Sequence, residues 1–264
     1  MANKIIMHLY ELSIPKADIE KLDETEWAFI ATLAFAMDEI SVFQKLLVHA
    51  KAQKPEAEEL RIAHAIQENT ITRALCAKIF EAVKLFDQYQ RLADRNGLSD
   101  VRNKLVEFSE SFDELKADPI YSLAKDIRDH ATNHYLPSET KKNLEHVSDK
   151  AITKAFLHRN IGNSFYPLGE EFVFLGRIGR HYAEEYDRPH TMEDVRKWVE
   201  WALAASKVLT HFFTDYLVWV QRERFPEWAL KPTKPYLEPE LYGELGETPL
   251  KLFFEASRLK KPSG

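Results

Sequence analysis

The chain has eight glycines in 264 residues, and none falls before Gly97. Few positions can therefore turn the backbone through a left-handed conformation. Long glycine-free segments favour helices over an architecture of strands and tight turns. Hydrophobic residues at 45% can build a core and charged residues at 30% a wetted surface, as in an ordinary globular protein. The length suits one large domain or two small ones. The expected fold is mainly α: a bundle of long antiparallel helices with a small β or irregular insertion at 162–180. Residues 1–225 form the single bundle domain in this reading, and 226–264 an extended proline-rich arm with a short terminal helix.

Apolar periodicity places the helices. Asp23 with Glu26 three residues later reads as a capping box. Beyond it Trp27, Ile30, Ala34, Met37, Ile40, Phe43 and Leu47 recur at helical spacing to about Ala52. From Pro55 a longer helix buries Leu60, Ala63, Ile71, Ala74, Phe80, Val83, Phe86 and Leu92, and Asn96-Gly97 ends it. These two pair antiparallel across a short connection. A weaker helix spans about 100–115. Asp118-Pro119 then supplies an N-cap and a first-turn proline for a helix that buries Ile120, Leu123, Ala124, Ile127 and Ala131. A short helix follows around Glu139 to Val147.

Four glycines crowd between Gly162 and Gly179, where a strand pair or an irregular loop is expected. Thr191 and Asp194 cap the last long helix, whose apolar residues from Val195 to Trp219 cover a wide arc. That helix is either central to the bundle or meets a second subunit. After Phe225 five prolines up to Pro249 exclude helix and leave Trp228, Tyr236 and Tyr242 as anchors for an arm lying over its own chain or a partner; a short terminal helix runs to about Lys260.

Net charge is −6, so any contact with RNA must come from a local basic patch. The single cysteine, Cys76, excludes an intrachain disulfide framework and suits a reducing cytoplasm; mid-helix, it is expected to be buried and inert. The segment from Met1 to Pro15 lacks the apolar stretch of a secretory signal. The most hydrophobic long window, Trp198 to Val220, holds Glu200, Lys207, His211 and Asp215, which is too costly for a membrane span. The expectation is a cytoplasmic protein with no membrane partner. No phosphate-binding glycine loop, nucleophile elbow or cysteine pair is present, and no cofactor or metal is expected.

The segment Lys125-Asp-Ile-Arg-Asp-His-Ala-Thr-Asn-His-Tyr135 carries the chemistry. Cleaving RNA without a metal requires a base for the 2′-hydroxyl proton and positive charge against the phosphorane. Arg128 offers a planar, permanently charged fork, and His134 titrates near neutrality. Asp129 can orient either of them. On an ideal helix Arg128 and His134 stand about 120° apart around the axis and about 9 Å along it, a gap that an arginine spans.

An arginine, a polar residue, a few more residues and then a histidine resembles the motif of the HEPN superfamily of helical-bundle ribonucleases. Here it reads Arg128-Asp129-His130-Ala131-Thr132-Asn133-His134, with Tyr135 and Ser138-Glu139 after it, and the resemblance covers roughly residues 25 to 150. It implies a metal-independent endoribonuclease that leaves a 2′,3′-cyclic phosphate, with Arg128, Asp129 and His134 as catalytic residues. It also implies a homodimer whose two copies of the motif face each other, RNA as partner, and a toxin or defence role in which an antitoxin could bind. His130, Tyr135, Lys125 and Lys141 are the candidate substrate contacts.

Other readings stand beside this one. His134 can be a satisfied core histidine, and Arg128 can pair with Asp126 or Glu139 as a surface ion pair. Asp126, His130 and His134 at spacings of four make a possible metal face. Lys142, Arg177, Arg180 and His181 are candidate RNA-backbone contacts. Phe165, Tyr166, Phe172 and Phe174 could stack bases or pack the core. The whole could also be a catalytically inactive HEPN-like binding module or a structural bundle.

Overall fold

The structure, a computed structural model, describes residues 5–7, 9–51, 55–132, 136–158, 162–237 and 251–253. Among these the fold is mainly α. Two short strands, β1 (Ile5–Ile6) and β2 (Leu9–Glu11), precede a single turn, α1 (Lys16–Ile19). The long helices α2 (Glu24–Lys51) and α3 (Glu58–Arg95) then pack along each other, followed by α4 (Ser99–Ala117) and α5 (Pro119–Ile127). A short α6 (Pro137–Asn143), a turn α7 (Pro167–Gly169), α8 (Gly176–Tyr186) and the long α9 (Met192–Arg224) complete the helices. Strands β3 (Lys231–Thr233) and β4 (Tyr236–Leu237) pair antiparallel with β2 and β1.

Helix α9 is central: it packs against α2, α3, α4 and α5. Trp198, Ala202, Ala205, Leu209, Phe212 and Tyr216 are buried along it, as the periodicity predicts. The Phe212 ring meets Phe29, Phe86, Phe108 and Phe112 edge-on or tilted, so one aromatic cluster joins four helices. The predicted capping box is complete. The Asp194 amide donates to Thr191 Oγ1 at 3.3 Å, and the Thr191 amide donates to Asp194 Oδ2 at 2.7 Å.

In α2 the outcome differs. Asp23 caps it, accepting from the Thr25 amide at 2.8 Å. Glu26 does not close the box. It turns inward to 2% exposure, accepts from the Tyr216 hydroxyl at 3.3 Å and lies 3.7 Å from Arg224. The buried stripe is Phe29, Leu33, Ile40, Leu47 and Ala50, and Trp27, expected inward, is 39% exposed. Because α2 is apolar around most of its circumference, its periodicity does not single out one side.

The glycine-rich segment is the second correction. Its β content is one bridge, Phe156 with Phe165, and from Pro167 onward it is helical. The glycines serve close packing instead. A Cβ at Gly179 would sit 2.7 Å from the His146 carbonyl oxygen, and one at Gly176 would lie 3.0 Å from Val147 Cγ2. Helix α8 approaches the end of α6 over these two positions.

The proline-rich arm lies over its own chain up to Leu237, and buried Trp228 anchors it, its indole donating to Asp18 at 3.0 Å. Tyr242 and the terminal helix expected to Lys260 lie outside the described residues. Among the described residues no helix is long and apolar enough to cross a membrane.

Asp194 yields a test of the α9 cap. The Arg188 guanidinium, donating to both carboxylate oxygens at 2.9 Å, holds its carboxyl well below the usual range, and Thr191 adds to this against the opposing effect of burial. A depressed folded-state pKa gives stability that is present above the unfolded value of about 3.9 and lost as pH falls towards the lower folded value. Asp194→Asn is expected to cost about 1–3 kcal/mol at neutral pH. In urea unfolding the gap from wild type should narrow progressively below about pH 4.

Candidate functional site at two π-helical turns

Helix α5 starts as its sequence directs, Asp118 Oδ1 accepting from the Ile120 amide at 2.8 Å with Pro119 in the first turn. Ile120, Leu123, Ala124 and Ile127 bury one face. At Arg128–Thr132 the helix widens into a π-helical turn, so the arginine motif begins on irregular backbone. A second π-helical turn, Glu170–Leu175, leads into α8. Such turns are rare and concentrate at functional sites.

The two π-turns border one cleft of about 470 Å³. His130 comes from the first, Phe172 and Val173 from the second, and Thr140, Lys141 and Leu144 from α6 and its end. Asn143, 2% exposed, braces this arrangement by donating from Nδ2 to the carbonyls of Phe172 and Val173 at 3.1 and 3.4 Å.

A buried charge cluster fixes the turns relative to each other. Asp126, two residues before the first turn, accepts from Arg177, two residues after the second. The Arg177 Nε to Oδ2 distance is 2.5 Å, and Nη2 bonds Oδ1 beside it. His181 Nδ1 lies 3.5 Å from Oδ2 and His130 Nε2 3.7 Å from Oδ1. Burial pushes the Asp126 carboxyl up, but His181 and Arg177 together outweigh it and hold the group below the usual range. Arg177 Nη1, His181 Nε2 and His130 Nδ1 are buried without a partner among the described residues.

Arg128 reaches the other way, towards α3. Its guanidinium donates to Asp129 and to Glu81 and stacks 5.3 Å from the Phe80 ring centroid, while its Nε is buried without a partner among the described residues. Arg128 and Asp129 are thus together, as expected, and Glu81 is an addition that sequence spacing could not supply. His130 and Lys141 share the cleft. Lys125 is exposed on α5. His134 and Tyr135 lie outside the described residues.

Three sequence alternatives change. The ion-pair partners of Arg128 are Asp129 and Glu81, not Asp126 or Glu139. Arg177 and His181, at 6% and 5% exposure, are too buried to meet an RNA backbone, and Arg180 is held by Glu184 at 2.7 Å and Glu139 at 3.1 Å. Asp126 is occupied by Arg177, and among the described residues no cluster of three His, Cys, Asp or Glu is arranged to hold a metal ion; His134, the third member of the possible metal face, lies outside them. Of the aromatic candidates, Phe174 is core at 1% exposure and Phe165 stacks on Phe156, whereas Phe172 faces the cleft. Cys76 is buried as expected, and burial pushes its thiol pKa far up.

Comparison with protein-family models, curated proteins and solved structures returns no match.

Stability separates the two arginine clusters. Asp126→Ala leaves Arg177 buried and unpaired and should cost about 3–5 kcal/mol. Arg128, part-exposed beside an exposed Glu81, should cost about 1 kcal/mol or less on change to alanine. Urea denaturation of the two variants measures the difference.

Proposed function

We propose that the chain is a metal-independent endoribonuclease of the HEPN type. The observation that supports this is the placement of the arginine motif: its π-turn and a second π-turn border a cleft that holds His130 and Lys141. Arg128 meets the negative charge that develops on the scissile phosphate, exchanging its contact with Glu81 for phosphate oxygens. His134 takes the proton of the 2′-hydroxyl, the 2′-oxygen attacks phosphorus, and the bond to the 5′-oxygen breaks as that oxygen takes a proton from water. The products are a 2′,3′-cyclic phosphate and a 5′-hydroxyl. Asp129, bonded to Arg128, keeps the guanidinium in place. His130 and Lys141 contact the strand in the cleft, and Lys125 and Tyr135 are further substrate contacts in this reading.

In this reading RNA is the substrate in the cytoplasm, two copies of the motif act together in a homodimer, and an antitoxin partner restrains a toxin or defence activity. A second reading is a catalytically silent HEPN-like module that binds RNA or a partner on the same surface. The neutralisation of Arg128 by both Glu81 and Asp129 favours it, because that charge must be released before it can meet phosphate.

Purified protein should cleave mixed RNA in EDTA and leave cyclic-phosphate ends. Arg128→Ala and His134→Ala, purified identically, should lose at least about a hundredfold in rate. Equal cleavage by all three proteins would remove the assignment. RNA binding without cleavage, lost in Arg128→Ala, would select the silent module. For an active enzyme, Lys141→Ala should raise KM severalfold and leave kcat unchanged.

A further inference from the structure

The outward face of α2 takes no part in the candidate site. Phe35 is 67% exposed, Val42 53% and Trp27 39%, and Ala31 between them is exposed as well. Scattered apolar side chains on a surface are ordinary, but these four stand at helical spacing along one line. On a helix of 3.6 residues per turn they fall, with Ala34, within an arc of about 100°. Beside this stripe lies an apolar cavity of about 490 Å³, lined by Ala31 and Ala34 and by Ile14, Leu217 and Trp228.

The stripe is self-complementary. Paired antiparallel with itself about the midpoint between Ala34 and Phe35, each residue faces the one equally distant on the other side. Phe35 then faces the small Ala34 of a second copy and sits at the mouth of that copy's cavity. Trp27 faces Val42. The charges at the two ends of the same face also match: Glu24, exposed, falls opposite Lys45, exposed, and neither makes an ion pair within the described residues of its own chain. A shallow crossing of about 20° keeps both ends in reach over the roughly 31 Å between them. Asp38 faces Ala31 and is the one charge between the end pairs; it has no ion pair among the described residues.

We propose that the occupant of this face is a second copy of the chain, docked α2 against α2 in that register. The knob is Phe35, the hole is the Ala31–Ala34 floor with its cavity, and two Glu24–Lys45 pairs set the orientation. This interface is a different one from the motif-to-motif pairing of the ribonuclease reading and does not depend on it: Arg128 lies against α3, neither the motif nor the cleft takes part, and the two pairings would coexist only in an assembly larger than a dimer.

Analytical ultracentrifugation of the full chain over a concentration series tests it. The wild type should dimerise reversibly. Phe35→Glu, at an exposed position that should leave the fold intact by circular dichroism, should weaken the dimer about thirtyfold or more. Glu24→Lys and Lys45→Glu should each weaken it by about fivefold, and the double variant should recover the wild-type constant. Asp38→Ala should tighten it, because an unpaired carboxylate leaves the interface. A protein that stays monomeric throughout, or a dimer insensitive to Phe35→Glu, overturns the proposal. Single reversals that the double variant does not rescue overturn it equally, because they exclude this register.

Discussion

The pairing of Asp126 with Arg177 sets the geometry on which the candidate site depends. It ties the end of α5 to the start of α8, and each π-turn begins or ends two residues from it. A buried ion pair gains little net stability, because desolvating two charges offsets most of their attraction. Its consequence here is positional. With Asp126 held, His130 is carried to the cleft and the arginine at 128 is turned towards α3. Asn143 repeats the device from α6, bonding the backbone of the second π-turn. The site is thus built on braced, irregular helix instead of loop.

Electrostatics explains how such a site can sit on an acidic protein. Net charge of −6 gives RNA no general attraction, and the Arg128 charge is balanced by two carboxylates. On the ribonuclease proposal, approach is governed locally, by exposed Lys141 and by whether phosphate displaces Glu81. Glu81 is the exposed member of its pair, at 46%, so its side chain can leave without opening the core. Phe172 and Leu144 give the cleft an apolar wall, which suits an unstacked base better than a duplex.

Much of the fold was legible in the sequence where local chemistry and burial agree. Thr191 and Asp194 announced α9, Asp118-Pro119 announced α5, and the buried faces of both followed from spacing. In α2 spacing does not fix the rotation, because the helix is apolar nearly all round, and it does not fix Glu26, because a carboxylate three residues after a cap can also turn inward to Tyr216. The glycines near 176 looked like strand or loop punctuation, yet they admit a neighbouring backbone to α8. Of the residues expected at the site, Arg128 contacts Asp129, and His130 and Lys141 line one cleft. Glu81, Arg177, His181 and Asn143 could not be assigned their roles, since each acts through a partner at least 29 residues away in the chain.

The central claim, carried by the ribonuclease proposal, is that RNA occupies the cleft between the two π-turns. Hydrogen exchange of the protein with and without a single-stranded, 2′-O-methylated oligonucleotide tests it directly, because that ligand cannot be cut by 2′-hydroxyl attack. The account predicts added protection in the first π-turn at 128–132, in α6 at 137–143 and in the second π-turn at 170–175, with α4 unchanged. Protection confined to other elements, or none at saturating oligonucleotide, would contradict it.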